Sequence, residues 1–179
     1  MDHHDHVNLL KPADLKPGGS WADLGAGSGA FTLALREVLG PATTIHAVDK
    51  DKSSLEQLKQ AYQARFGSTE NLQTHIGDFS RVVELPPLDG IIAANSLHYF
   101  IDRVKVLEHI KSFLKPNGKL IVIEYNVDSG NPWVPYPFTF QTFGKFAKQA
   151  GFAEPRLLAT HPSRFLREFY SALTLKADL

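Results

Sequence analysis

The chain has 179 residues, 43% of them apolar and 21% charged, which is room for one domain with one continuous core and too apolar for a disordered chain. Lys plus Arg equals Asp plus Glu at 19 each, so no net positive field exists to hold a phosphate backbone and no nucleic-acid partner is expected. Cysteine is absent, which excludes disulfides, thiolate zinc sites, iron–sulfur clusters and thiol nucleophiles together. No run approaches the roughly 20 apolar residues of a membrane span. The polar, acidic opening lacks the apolar core of a signal peptide, so a cytoplasmic protein without membrane contact is expected.

Residues 1–19 are expected to form a solvated segment or lid ahead of a single domain over 20–179. The cluster Asp2, His3, His4, Asp5, His6 holds potential metal ligands. Chain termini usually fray, however, and no second ligand motif accompanies it, so no metal site is expected. Trp21–Leu24 reads as a strand running into Gly25-Ala26-Gly27-Ser28-Gly29. A helical stripe follows at Phe31, Leu33, Ala34, Leu35, Val38 and Leu39, stopped by Gly40-Pro41. Thr43–Val48 is a second strand ending at Asp49. Leu55, Leu58, Ala61, Tyr62 and Phe66 mark an amphipathic helix closed by Gly67. Leu72–Ile76 is a third strand, ending at Gly77-Asp78.

The alternation continues through the second half. Ile91–Ala94 is an all-apolar strand of the kind buried on both faces. Val104, Leu107, Ile110 and Leu114 give the next helix, and Lys115-Pro116-Asn117-Gly118 reads as a turn before a fifth strand at Lys119–Ile123. A loop rich in proline and aromatics covers Asn126–Phe138. Phe140, Phe143, Phe146 and Ala147 fit a helix ended by Gly151. Two strand-like runs, Arg156–Thr160 and Phe169–Leu175, leave no room for a crossover helix and should pair antiparallel. The pattern predicts an α/β fold: a doubly wound, Rossmann-like, mostly parallel sheet with an antiparallel C-terminal hairpin.

Gly25, Gly27 and Gly29 stand where a strand turns into a helix and the backbone must approach a ligand closely. The following helix offers unpaired N–H groups to that ligand. Gly25-x-Gly27-x-x-Ala30 also fits the dinucleotide fingerprint, so the turn alone admits a nicotinamide, a flavin or another nucleoside-containing cofactor. Asp49, about 20 residues past Gly29, fits ribose-hydroxyl binding in each case. Its bland alternative is a helix N-cap, which Asp51 or Ser53 can also provide.

The segments Asp-Leu-Gly-Ala-Gly-Ser-Gly at 23–29, Val-Asp-Lys at 48–50, Gly-Asp-Phe at 77–79 and Leu-Lys-Pro-Asn-Gly-Lys-Leu at 114–120 occur in one order along nearly the whole chain. With them the chain resembles the class I S-adenosylmethionine-dependent methyltransferases, most of all the small bacterial, quinone-biosynthesis-like type. The resemblance implies a seven-stranded sheet and S-adenosylmethionine as cofactor. It places Asp23 near the cofactor's amino group, Asp49 at the ribose, and Asp78 and Phe79 at the adenine, with Lys50 among the cofactor-binding residues. Gly25, Ala26, Gly27 and Gly29 would cradle the cofactor, with Asn95 touching it from the fourth strand.

The resemblance implies a small-molecule methyl acceptor, with the chain acting as a monomer or homodimer. The segment Asn95-Ser96-Leu97-His98-Tyr99 lacks the Asn/Asp-Pro-Pro-Tyr/Phe motif of enzymes that methylate exocyclic or amide nitrogens. His98 is the candidate catalytic base, because imidazole titrates near neutrality. Tyr125, Trp133 and Tyr136 are candidate acceptor-pocket residues, the last two on a loop stiffened by Pro132, Pro135 and Pro137. Other readings of the same turn are a non-catalytic cofactor-binding subunit and a nicotinamide-dependent oxidoreductase.

Overall fold

A computed structural model describes residues 1–177. Among the described residues, seven strands and five α-helices follow in order: α1 (His3–Leu10), β1 (Ser20–Leu24), α2 (Ala30–Leu39), β2 (Thr44–Asp49), α3 (Lys52–Phe66), β3 (Leu72–Ile76), β4 (Leu88–Ala94), α4 (Arg103–Phe113), β5 (Leu114–Tyr125), α5 (Phe140–Gln149), β6 (Arg156–Pro162) and β7 (Glu168–Leu175). The sheet order is β3-β2-β1-β4-β5-β7-β6. The first five strands run parallel, and β7 enters antiparallel between β5 and β6. This is the α/β architecture the alternation predicts.

Each helix forms for a local reason. In α2, Phe31, Ala34, Leu35 and Leu39 fall on one stripe and are buried, and Gly40 ends it in a backbone conformation open to glycine. Asp51 caps α3 by accepting from the Ser53 N–H, and Gly67 closes that helix left-handed. The central strands carry side chains to both faces: Ile92, Ile121 and Ile123 join a core with α1, α2 and α3, while Ile91, Leu120 and Val122 join one with α4 and α5. Full burial of such a side chain contributes about 1.5–3 kcal/mol relative to exposure.

Two expectations need correction. The opening residues do not fray. Asp2 and Asp5 form a reciprocal capping box on α1, and Val7, Leu9 and Leu10 are buried against α2 and β6. Three apolar side chains within one short helix offset the entropy of ordering it. The Ser171 hydroxyl donates to the Leu9 carbonyl at 2.7 Å, and His3 meets Glu37 at 2.6 Å. The Lys115–Gly118 turn, in turn, lies inside the bounds of β5. Leu114 already pairs with Leu88, the chain departs through a left-handed Asn117, and it rejoins where Lys119 meets Gly90. Asparagine tolerates that conformation, which is why the turn fits without breaking the strand.

Leu10→Ala is expected to destabilise the fold by about 2–5 kcal/mol, since its side chain is fully buried. Urea denaturation followed by far-UV circular dichroism measures this. A change below about 1 kcal/mol would show that α1 is undocked in solution.

Candidate active site

The strand order reverses between β1 and β4, and a crevice opens there beyond the carboxyl ends of the strands. It holds a cavity of about 530 Å³, the size of an ordinary cofactor site. Four chain segments line it: Gly25 after β1, Asp49 and Lys50 at the end of β2, Gly77, Asp78 and Phe79 after β3, and Asn95, Ser96, Tyr99 and Phe100 after β4. A second cavity, between α2 and α3 at the opposite strand ends, contains a buried Arg36. Its guanidinium is already engaged by the Tyr62 hydroxyl and the Gly40 and Asn71 carbonyls, which accounts for it structurally.

The glycine turn is clamped to β2. Gly25 and Ala26 donate their N–H groups to the Val48 carbonyl, and Gly27 donates to Asp49 Oδ2 at 2.8 Å. These amides are therefore occupied, and the turn's contribution is shape. Gly25 has φ +80°, and a Cβ there would lie 2.6 Å from the Ser96 Cβ. At Gly27, φ +52°, a Cβ would meet nothing within 4 Å, and this residue does not line the cavity. Ala26 is buried, and Gly29 caps α2 left-handed over Leu58; neither lines the cavity.

Asp49 is held by two backbone donors, Gly27 and Asp51, with its carboxylate at the cavity wall; Asp51, not Asp49, caps α3. The Asp78 carboxyl is held below the usual carboxylate range, chiefly by the Ser80 hydroxyl and further by the Ser80 N–H, so it is a ready acceptor at the cavity edge. Phe79 is buried with its ring edge-on to Phe100 at 5.4 Å. Asp23 behaves differently. It is 1% exposed, takes one hydrogen bond from the Thr32 hydroxyl at 2.6 Å, and does not line the cavity. Burial pushes its carboxyl up to about 7, against the opposing Thr32 bond and with the Asp49 charge adding to the rise.

After β4 the chain makes a tight reversal with Asn95 left-handed at φ +52°. Asn95 Oδ1 and Ser96 Oγ are buried at the cavity wall with no hydrogen-bond partner among the described residues. Buried polar atoms are normally paired, so two orphans side by side point to a missing ligand. Beneath them His98 is 2% exposed and Glu124 fully buried. Glu124 Oε1 accepts from the Leu97 and His98 N–H groups at 3.0 and 3.2 Å, and Oε2 lies 2.8 Å from His98 Nδ1.

Sequence reasoning missed Ser96, Tyr99, Phe100 and Glu124. The available signals were their place just past β4 and, for Glu124, an acid closing the apolar run Leu120–Ile123.

The proline-rich loop does not line the cavity. It is tied to the rim instead, where the Tyr136 N–H donates to the His98 carbonyl at 2.9 Å. Trp133 is 71% exposed, its ring 6.4 Å from Phe165. Tyr125 is half-buried, 6.2 Å from the His98 ring and 6.0 Å from Phe165. Tyr99, Tyr125, Phe165 and Trp133 thus form an aromatic shelf that starts at the cavity. No residue of α1 lines the cavity; its His6 ring packs 4.7 Å from Phe31 in the first turn of α2. Among the described residues no group of three metal-ligating side chains occurs, and no helix is long and apolar enough to cross a membrane.

Reversed strand order, a glycine turn and acids at the ends of β2 and β3 define a Rossmann-like α/β domain. A sequence profile described as "Methyltransferase domain" matches residues 15–150, and the chain belongs to that family. It is 30% identical over 122 residues to a 2-phytyl-1,4-naphtoquinone methyltransferase of Trichormus variabilis, covering 65% of this chain and 51% of the relative. It is 32% identical over 102 residues to a ribosomal protein L11 methyltransferase of Prochlorococcus marinus, covering 55% of this chain and 31% of the relative. The chain thus spans about half or less of the length of these curated relatives.

Solved structures share the fold. A SAM-dependent methyltransferase from Aquifex aeolicus superposes with TM-score 0.74 at 21% identity, over 97% of this chain and 90% of that one. Human N-acetylserotonin methyltransferase in complex with SAM gives 0.69 at 21% identity, over 99% and 52%.

Asp23 generates a stability prediction. Between about pH 4 and 7 the unfolded chain has released this proton while the folded chain keeps it. Stability therefore falls as pH rises across that window and levels off above it. Asp23→Asn is expected to flatten this slope and to stabilise the protein at pH 8 by up to ~4 kcal/mol, the raised carboxyl being fully buried. Urea titrations at pH 5, 7 and 8 test it, and an unchanged slope would contradict an uncharged Asp23.

Proposed function

We propose that the crevice binds S-adenosylmethionine and that the chain transfers its methyl group to a small-molecule acceptor, by in-line displacement promoted mainly through positioning. The observation that carries this is one cavity walled by Asp49, Asp78 and Phe79, with the buried, unpartnered Asn95 Oδ1 and Ser96 Oγ in the segment that closes it. That set of acceptors beside an apolar wall fits the cofactor. Asp49 offers a preorganised carboxylate to ribose hydroxyls, Asp78 an acceptor to an adenine amino group, and Phe79 an apolar wall for the ring. Asp23 ties β1 to α2 through the Thr32 hydroxyl.

Bound S-adenosylmethionine supplies a methyl carbon already activated by its sulfonium, so the chain has no electrophile to make. Its residues must orient the acceptor and exclude water, and orientation alone can lower a barrier by about 7–11 kcal/mol. The aromatic shelf beginning at Tyr99 is the surface for the acceptor. Its rings offer stacking area, with polar handles on Tyr99, Tyr125 and Trp133.

Isothermal titration should show binding of S-adenosylmethionine and of its demethylated product but not of NAD. Asp49→Ala should weaken the first two by about tenfold or more, the loss of a charge-assisted hydrogen bond. Tight NAD binding without any binding of the sulfonium compound would overturn this reading in favour of an oxidoreductase. Trp133→Ala should raise the KM for the acceptor and leave cofactor affinity unchanged; an unaltered KM would remove the loop from the acceptor surface.

A further inference from the structure

Three segments meet outside the crevice and leave large apolar side chains in solvent. Tyr99 and Ile101 follow β4, Trp133 and Tyr136 stand on the proline-rich loop, and Phe165 lies at the tip of the turn between β6 and β7; all five are exposed. Ring contacts join the segments. Trp133 lies 6.4 Å from Phe165, Phe165 6.0 Å from Tyr125, Tyr125 6.2 Å from His98 and His98 4.3 Å from Tyr99. Both tips are held in place by their own backbone. Asn131 Oδ1 accepts from the Trp133 and Val134 N–H groups at 2.9 Å, and Ser163 Oγ accepts from the Phe165 N–H at 3.1 Å. Single exposed apolar side chains are ordinary, whereas a connected set on fixed segments marks a contact surface.

Charge says what that surface meets. Residues 131–137 carry no charged side chain, and residues 163–167 carry Arg164 and Arg167 without an acid. Both arginines are exposed, and among the described residues neither makes a salt bridge; the arginines that do are Arg65 and Arg81. The acids next along the chain, Asp128 and Glu168, stand at the bases of the two segments and are engaged there by Thr139 and Asn126. A second copy of this surface would set arginine-bearing tips against tips that hold no acid. A bilayer with anionic headgroups matches both halves. Its phosphates suit guanidinium groups, and its interfacial layer suits tryptophan and tyrosine, whose rings have an apolar body and a polar edge. That no described helix is long and apolar enough to cross a membrane leaves this open, because a surface contact needs none.

We propose that the Trp133 and Phe165 tips dock the chain onto an anionic lipid bilayer, with Arg164 and Arg167 meeting the headgroups. Tyr99 belongs both to this surface and to the cavity wall, so docking sets the mouth of the crevice against the bilayer. The docking does not rest on the proposed methyl transfer. It is read without any cofactor, and calorimetry with the demethylated compound judges the cofactor reading by itself.

The test mixes the whole chain with vesicles of phosphatidylcholine, alone or together with phosphatidylglycerol. The chain should sediment with the mixed vesicles, and less of it should do so as salt rises. Of its two tryptophans Trp21 is buried and Trp133 exposed, so a shift of emission to shorter wavelength reports Trp133. Brominated phosphatidylcholine in the mixed vesicles should quench the shifted emission. No sedimentation with the mixed vesicles at low salt, or an unshifted and unquenched Trp133, overturns the proposal. These readouts use the native chain and stand even where a variant misfolds.

Arg164→Gln combined with Arg167→Gln should weaken vesicle binding by about 25-fold, roughly fivefold for each arginine. Trp133→Ala should weaken it by about tenfold, the loss of a buried aromatic surface. Trp133→Phe should keep the binding and lose the emission shift. Undiminished binding of the double arginine variant would overturn the proposal. So would a dimer in sedimentation equilibrium without lipid in which Trp133 already emits as a buried ring, since the surface then belongs to a second copy of the chain.

Discussion

The upper edge of the sheet depends on how closely two backbones pass where the strand order reverses. Parallel pairing of β1 with β4 brings both strands out at one level, and the turn after β1 then runs against the reversal after β4. The gap is so narrow that a methyl group at Gly25 would overlap the Ser96 side chain. A larger residue there would strain the turn and also push Asn95 and Ser96 outward, away from the pocket they face. Phe79 closes the same gap from the third side. The crevice is thus a consequence of one missing side chain, and its depth is set by steric exclusion before any polar contact forms.

Two buried carboxyls flank this crevice and meet burial in different ways. Glu124 receives three donors and anchors the chain after β4, so its oxygens exchange water for fixed hydrogen bonds. Asp23 receives one, from Thr32, and desolvation prevails over it. Arg36, at the far strand ends, follows the first pattern with three neutral acceptors.

Most of the fold was legible because each helix carries one apolar stripe and each strand ends at a residue type with a distinct role. Asp49, Asp78 and Asn95 all stand at carboxyl ends of strands, and all three line the cavity. What stayed hidden depends on contacts that spacing does not encode. The opening residues read as a polar tail because only Val7, Leu9 and Leu10 mark the buried side of α1, too short a stripe to register as periodic. Asp23 stands beside the glycines in sequence, yet its side chain meets Thr32 in α2 and does not line the cavity. Glu124 shares the face of Leu120 and Val122, and its partner His98 lies 26 residues away, a distance no local pattern bridges.

The docking of α1 reaches further than the stability it adds. Its backbone is held by Ser171, 162 residues downstream, and the Pro12 carbonyl just beyond it accepts from Arg156 on β6. During synthesis the first helix of this chain therefore emerges long before the hairpin that receives it exists. Its apolar side must wait, exposed or in the care of a chaperone, until β6 and β7 have left the ribosome and paired. Closure of so long a loop makes this contact a late event in folding. The sheet's parallel half can assemble as the chain is made, whereas α1 can dock only after translation has passed β7.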